Sequence, residues 1–434
     1  MPNTVIKSSE TTFMFGDYNA FGAFVGVIIN GVNLTYGVDG FPDGGTVNWI
    51  TLWTWTQDLT KAVMRDLPVT DVASLNADYP GWSTPDQFFA FWEAAGTPPL
   101  KVWQGDTTGF TGSDQADTLA MGTYSGELFG AGGDDLLYGG IGNANLYGGS
   151  GNDRLYAKHD NDRLWGNAGD DRFFASGGDD SAYGGTGNDL ILGGAGDDWI
   201  FGDSDGYSTT ETPGAPGGDD KLRGGAGRDV IYGNAGDDRL LGDGGDDGLH
   251  GGDGNDMLKG GVGADWVVGD DAAGLTTGDD VLFGDAGNDT IIGGSGNDRM
   301  YGGDDGDLIY TGSGNDTALG GAGRDTFMVG GEGSNTLSGG ADADVFYFAN
   351  SGASGDTLIK DFDPVDEVLI IQYAVATTPQ DQLASFLAGA VQAGQDVIWT
   401  NDAGTHSITL NNTALTDLTV DNFFAAGDTP YETY

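Results

Sequence analysis

The sequence predicts an all-β protein: a parallel β-roll of about 24 nine-residue repeats, flanked by a small, mostly β N-terminal cap and a β-rich C-terminal cap. Three observations predict it. A period of the form G-G-x-G-x-D-x-U-x, with U a large apolar residue, runs from Gly112 to Tyr347. Glycine supplies 81 of 434 residues without a strict Gly-x-y period, which excludes a collagen helix. The formal net charge is −51, from 67 acids against 16 bases. A compact fold tolerates that charge only if cations bind, and a hydrophobic content of 38% argues against plain disorder.

Residues 1–111 come first and differ in composition. They hold Trp49, Trp53, Trp55, Trp82, Trp92 and Trp103. The alternation from Thr46 to Trp53 reads as a strand, Asp43-Gly44-Gly45 as a turn, and Pro85 to Ala95 as a short helix capped by Thr84. The region is expected to cover the apolar end of the first coil, its aromatics forming a core or a sugar or partner platform.

Residues 112–347 are the repeats. From Gly148 the chain reads GGSGNDRLY, AKHDNDRLW, GNAGDDRFF, ASGGDDSAY, GGTGNDLIL and GGAGDDWIF. The period resumes at Gly224 with GGAGRDVIY, and at Gly284 with GDAGNDTII and GGSGNDRMY. Glycines allow the curled turn, and x-U-x is a minimal strand whose U points inward. The inward column reads Leu155, Leu164, Phe173, Ala182, Ile191 and Ile200, then Leu222, Ile231, Leu240, Leu249 and Leu258. Two repeats make one coil. Insertions interrupt the period near 202–214 and 269–274. The first contains Asp203-Ser204-Asp205-Gly206, which reads as a solvated loop or as a fragment of a calcium-loop pattern.

The sixth-position carboxylates stack from coil to coil. At about 4–5 Å, two such charges repel by ~3–4 kcal/mol at an effective dielectric near 20. Second acids add to this in Asp134-Asp135, Asp170-Asp171, Asp197-Asp198 and Asp237-Asp238. A hard divalent cation with oxygen ligands relieves the repulsion, and calcium suits carboxylates combined with turn carbonyls. About 20 such ions would bring the charge to roughly −11, an ordinary surface value.

This nonapeptide series resembles the repeats-in-toxin (RTX) family, whose parallel β-roll binds calcium between coils. The likeness covers about half the chain. It implies that the sixth-position side chains are calcium ligands. These are Asp117, Asp135, Asp153, Asp162, Asp171, Asp180, Asp189, Asp198, Asp220, Asp229 and Asp238, followed by Asp247, Asp256, Asp265, Asp280, Asp289, Asp298, Asp307, Asp316, Asp325 and Asp344. Gly126, Ala144 and Asn335 occupy that position without a carboxylate.

Residues 348–434 follow, with an expected strand over Val368 to Ile371, a helix over Pro379 to Ala390, and strands around Val397 to Thr400 and Ile408 to Leu410. This end resembles the C-terminal β-cap of serralysin-type and related RTX proteins. The terminal Asp421-Asn422-Phe423-Phe424 is similar to the patch associated with type I secretion, although Ala425 to Tyr434 extend beyond it. The resemblance implies a secreted, extracellular or cell-surface protein exported by type I secretion machinery. Met1 to Lys7 lacks the profile of a cleaved signal, which agrees with that route.

Several function classes are disfavoured. The negative field repels nucleic acid, and the apolar stretch from Phe21 to Ile29 is too short for membrane insertion. No cysteine is present, so disulfides and thiolate metal sites are excluded. His159, His250 and His406 are widely separated and form no zinc-protease motif; His159 and His250 are expected to face solvent. Gly202-Asp203-Ser204-Asp205-Gly206 matches a nucleophile-elbow pattern, but Thr209 to Pro213 follow it instead of a helix. An enzyme is therefore not expected. The ninth-position column faces outward with Tyr138, Tyr147, Tyr156, Trp165, Phe174 and Tyr183, later with Tyr232, Phe283, Tyr301 and Tyr310. The reading favoured is a calcium-binding structural protein that folds outside the cell and self-associates, in an S-layer, filament or adhesion role. The alternative is a calcium-dependent carbohydrate-binding or accessory module that recognises surface polysaccharide.

Overall fold

A computed structural model describes residues 109–121, 125–203, 217–270, 277–348, 355–371, 378–401 and 404–423. Before residue 109 it describes only the backbone of six strands: Ser8–Ser9, Thr12–Tyr18, Phe24–Tyr36, Pro42–Thr54, Thr60–Arg65 and Leu100–Trp103. The helix expected over Pro85 to Ala95 and the side chains of the N-terminal tryptophans lie outside the described residues, as do Phe424 and the tail after it. The chain divides into two compact units, Met1–Ser181 and Ala182–Tyr434.

In the first unit, Phe24–Tyr36 pairs antiparallel with Thr12–Tyr18 on one side and Pro42–Thr54 on the other. The strand expected over Thr46 to Trp53 thus lies within Pro42–Thr54. Leu100–Trp103 then runs parallel to the first short strand of the repeats, Thr118–Ala120. From there the strands stack in parallel. Thr118–Ala120, Leu136–Tyr138, Arg154–Tyr156 and Arg172–Gly177 form one sheet, and Phe110–Thr111, Gly126–Gly132, Ala144–Ser150 and Arg163–Ala168 the other. Leu137 lies opposite Leu155, one coil further on. That register follows from the period, because two nine-residue repeats return the chain to the same sheet.

The second unit repeats the arrangement. One sheet runs from Leu190–Ala195 to Gly355–Ile359, and the other from Trp199–Phe201 to Val368–Ile371. Neither insertion shifts the register of the strands on either side of it: Leu190 pairs with Lys221 and Met257 with Val281. Every inward residue of the expected column is at most 1% exposed, so within each unit aliphatic and phenyl groups from both sheets fill the interior.

Beyond the repeats, His406–Leu410 runs parallel to Gly355–Ile359 and antiparallel to Asp396–Thr400, which forms a hairpin with Ala390–Ala393. The helix spans Pro379–Gly389. Thr378 caps it, its hydroxyl accepting from the Asp381 N–H at 3.1 Å. Fully buried Phe386 stacks on Trp399 at 6.0 Å. No helix among the described residues is long and apolar enough to cross a membrane.

Candidate metal sites

All 21 sixth-position aspartates are buried, none more than 3% exposed. Their two carboxylate oxygens have different surroundings. Oδ1 accepts the backbone N–H of the sixth-position residue one coil back. Asp153 Oδ1 takes the Asp135 N–H at 2.7 Å, and Asp247 Oδ1 takes that of Asp229 at 2.8 Å. Oδ2 points the other way and accepts no hydrogen bond in, among others, Asp153, Asp229, Asp247, Asp289 and Asp307. A buried carboxylate oxygen without a donor is costly, and a whole series of them requires a physical cause.

Where a repeat opens with glycine, that residue lines the other wall of this site. At Gly302 an added Cβ would collide with Asp307 Oδ2 and approach the carbonyl oxygen of Gly320, one coil further on, to 2.5 Å. Gly284 shows the same pair, Asp289 Oδ2 and Gly302 O. At these two rungs the absence of a Cβ leaves room for two converging oxygens, whereas Ala157, Ala175 and Thr311 open other repeats. No group of three or more His, Cys, Asp or Glu side chains gathers at one point among the described residues. The oxygens that converge at Gly284 and Gly302 are instead one carboxylate and one carbonyl. That set suits a hard cation with a large, tolerant oxygen shell, which is calcium's preference.

Without a cation these carboxyls resist ionisation. Burial pushes Asp153, Asp247 and Asp344 up to about 6, Asp229, Asp238 and Asp325 to about 7, Asp256 and Asp280 to about 8, and Asp220 to about 9. The hydrogen bond received from the preceding coil partly offsets this, and neighbouring acids add to the rise.

Several features were not readable in advance. The second acids, expected to aggravate the repulsion, are exposed and form rungs of their own. Asp237 Oδ1 accepts the Asn255 N–H at 2.8 Å, and Asn255 Oδ1 accepts that of Asp279 at 3.0 Å. Asn152 and Asn297 serve equally well, taking the N–H of Asp170 and Asn315. Asp270, inside the second insertion, is 0% exposed and pushed by burial to about 6. Asp203 Oδ1 accepts the Gly218 N–H at 2.9 Å and Oδ2 that of Ala235 at 3.0 Å, while Ser204 to Gly206 lie outside the described residues. Glu367, which no repeat contains, is 2% exposed and sits one rung beyond Asp344, since Val345 pairs with Val368.

His159 is exposed, as expected, but His250 is not. It continues a ring ladder on Tyr232 at 4.6 Å, and burial lowers its basicity. The outward rings are largely occupied with one another: Phe129, Tyr147 and Trp165 stack at 4.6 and 4.4 Å, and Trp165 is only 9% exposed. Phe423, in the terminal patch, is buried at 2% and packs on Phe386.

The profile of the RTX calcium-binding nonapeptide repeat matches residues 111–146, 147–182, 174–206, 217–249, 245–273, 276–309, 301–329 and 327–350. No curated protein matches this chain. Among solved structures, the extracellular lipase LipA from Serratia marcescens is similar at 17% identity and a TM-score of 0.20, over 56% of this chain. This chain spans only 41% of that lipase. The AlgE6R3 subunit of the mannuronan C5-epimerase from Azotobacter vinelandii is similar at 20% identity and a TM-score of 0.18, over 43% of this chain and 81% of that one. The nonapeptide match spans more than half of the sequence and coincides with the buried aspartate columns, and on that ground the chain belongs to the RTX calcium-binding repeat family.

Proposed function

We propose that this is a secreted structural protein that folds when calcium fills its aspartate columns outside the cell, and that then self-associates at a surface or in a matrix. The observation that carries the first half is the series of buried Oδ2 atoms facing glycine carbonyls. The 21 sixth-position aspartates are the ligands in this reading, with about 20 ions bound if each rung takes one. At cytosolic calcium the columns repel and the chain stays unfolded for type I export. Extracellular calcium, at ~10⁻⁴–10⁻³ M, drives folding. Circular dichroism across a calcium titration tests this. At pH 8, where protons do not replace the cation, strong β signal is expected only with calcium, and its persistence in excess chelator would sink the reading.

Self-association rests on the outer face of one sheet in the second unit. From Trp199–Phe201 to Val345–Phe348, the residues flanking the inward column are Trp199 and Phe201, Val230 and Tyr232, Gly248 and His250, Trp266 and Val268, and so on to Val345 and Tyr347. No Asp, Glu, Lys or Arg stands among them, in a chain of net charge −51. The other sheet carries Lys221, Arg223, Arg239, Lys259 and Arg299 at the equivalent positions. An uncharged, ring-rich face of this kind can supply the ~800 Å² per partner of a standard interface. Light scattering at saturating calcium should show assembly that Trp199→Ser with Trp266→Ser weakens. A strictly monomeric wild type at high concentration would remove this half of the proposal.

One observation favours a second reading, calcium-dependent binding of a surface polysaccharide. Trp199 and Trp266 are 52% and 50% exposed and occupy the same column three strands apart. At ~4.8 Å per strand that is roughly 14 Å, a spacing suited to stacking on separate sugar rings of one glycan. Retention on a glycan array that requires both calcium and the two tryptophans would favour it.

A further inference from the structure

At Gly184, Gly284, Gly302 and Gly320 the Asp Oδ2 shares its glycine-lined space with a carbonyl oxygen one coil further on. The last such space differs. A Cβ at Gly339 would collide with Asp344 Oδ2, as the pattern requires, but its next neighbour is Glu367 Oε1 at 3.0 Å. No further nonapeptide follows to donate a glycine carbonyl, and a carboxylate from outside the repeats stands in for it. Asp344 is 0% exposed and its Oδ2 accepts no hydrogen bond, so a buried, unpartnered oxygen is aimed into the same space.

The loop that presents Glu367 is held from two sides. Glu367 Oε2 accepts the Asp363 N–H at 2.9 Å. Asn422 Nδ2 donates to the Pro364 carbonyl at 3.0 Å and to that of Glu367 at 2.9 Å. Asn422 is 2% exposed and next to buried Phe423, so the C-terminal patch grips the backbone of the residue that closes the column. Asp361 lies beside them, accepting from Ser338 Oγ at 2.6 Å and the Gly339 N–H at 3.0 Å.

We infer that Asp344 and Glu367 form a closing divalent-cation site, of calcium type by its all-oxygen donors, and that its occupancy decides whether the segment ending at Phe423 docks on the end of the column. This rests on the calcium reading of the repeats and adds a site that lies outside the nonapeptides. The physical reason is charge: two carboxylates facing one small space separate unless a cation lies between them, and moving Glu367 away removes the carbonyl that Asn422 holds.

Hydrogen–deuterium exchange on the full chain during a calcium titration tests it, with residues 404–423 compared against residues 221–262. Glu367→Gln should raise the calcium needed to protect 404–423 at least tenfold and leave 221–262 protected at the wild-type concentration. Asn422→Ala should also deprotect 404–423, at every calcium concentration. Gln keeps the acceptor for the Asp363 N–H and mimics a protonated Glu367. Protection of 404–423 by this variant in chelator would therefore mean that a shared proton, not a cation, joins the pair, and would overturn the inference. An unchanged titration, or equal loss of protection across the repeats, would overturn it too. A wild type that shows no calcium response in 221–262 removes the folding proposal together with this one, whereas any of the other contrary results removes this one alone.

Discussion

In the first unit, one of the two columns starts with Gly126 and Ala144, which carry no carboxylate. In the second unit, both columns have an acid at every rung from Asp189 to Asp316 and from Asp198 to Asp344. The rung without a carboxylate keeps its geometry. Ala144 is 1% exposed, its N–H donates to Asp162 Oδ1 at 2.6 Å, and Leu146 remains opposite Leu128 and Leu164. Asn335 makes the same point at the far end of the other column, where its Oδ1 accepts the Asp316 N–H at 3.0 Å. Coil geometry thus needs the backbone and one acceptor at most. The second carboxylate oxygen serves something else, and in the proposed function that is the cation.

The largest effect that separates these two roles is a reversal with pH. Burial raises Asp229 and Asp238 to about 7 and Asp256 and Asp307 to about 8, from 3.8 in the unfolded chain. Between those values the folded roll binds more protons than the unfolded chain, so stability falls as pH rises. In chelator the roll should therefore be most stable near pH 4 and melt progressively toward pH 8. With saturating calcium, which needs ionised carboxylates, the order should invert. Thermal melts by circular dichroism from pH 4 to 8, with and without calcium, measure both slopes. Parallel slopes would show that no cation competes with the protons.

Next in size is the loss of one rung. Asp247→Asn keeps the acceptor for the Asp229 N–H but removes the charge facing the site. At calcium a hundredfold above the dissociation constant it should cost about 2.7 kcal/mol, the linkage value of one lost ion, and close to nothing in chelator at low pH. The converse change is Ala144→Asp. Gly139 is the first glycine of that repeat, and a Cβ there would approach Ala157 O to 2.6 Å, so a new carboxylate would find its carbonyl partner waiting. Calorimetry should count one additional calcium and a higher melting temperature at saturating calcium only. The smallest effect is expected from Asp237→Ala in the exposed ladder, which loses the Asn255 N–H contact at about 0.5–1.5 kcal/mol, independent of calcium. A loss that grew with calcium would mean that the outer acids are ligands as well.

The sequence by itself determined the repeat, its parallel register, the inward apolar column and the sixth-position acids, because each follows from a fixed period and local backbone chemistry. The strands at Val368–Ile371, Asp396–Thr400 and His406–Leu410 were legible for the same reason, as short apolar runs between turns. Only the tertiary structure decided between Asp237 and Asp238, identical in type and adjacent, of which one is exposed and the other buried at 3%. Successive side chains point to opposite sides, and composition does not show which side is covered. It also decided that Tyr232 and His250 stack on each other and are half-buried, since their strands meet only when the coils stack. Glu367 joined the column for a related reason. It belongs to no repeat, and reaches Asp344 because parallel pairing carries one rung past the last nonapeptide, where an oxygen from outside the period can take the place of the missing glycine carbonyl.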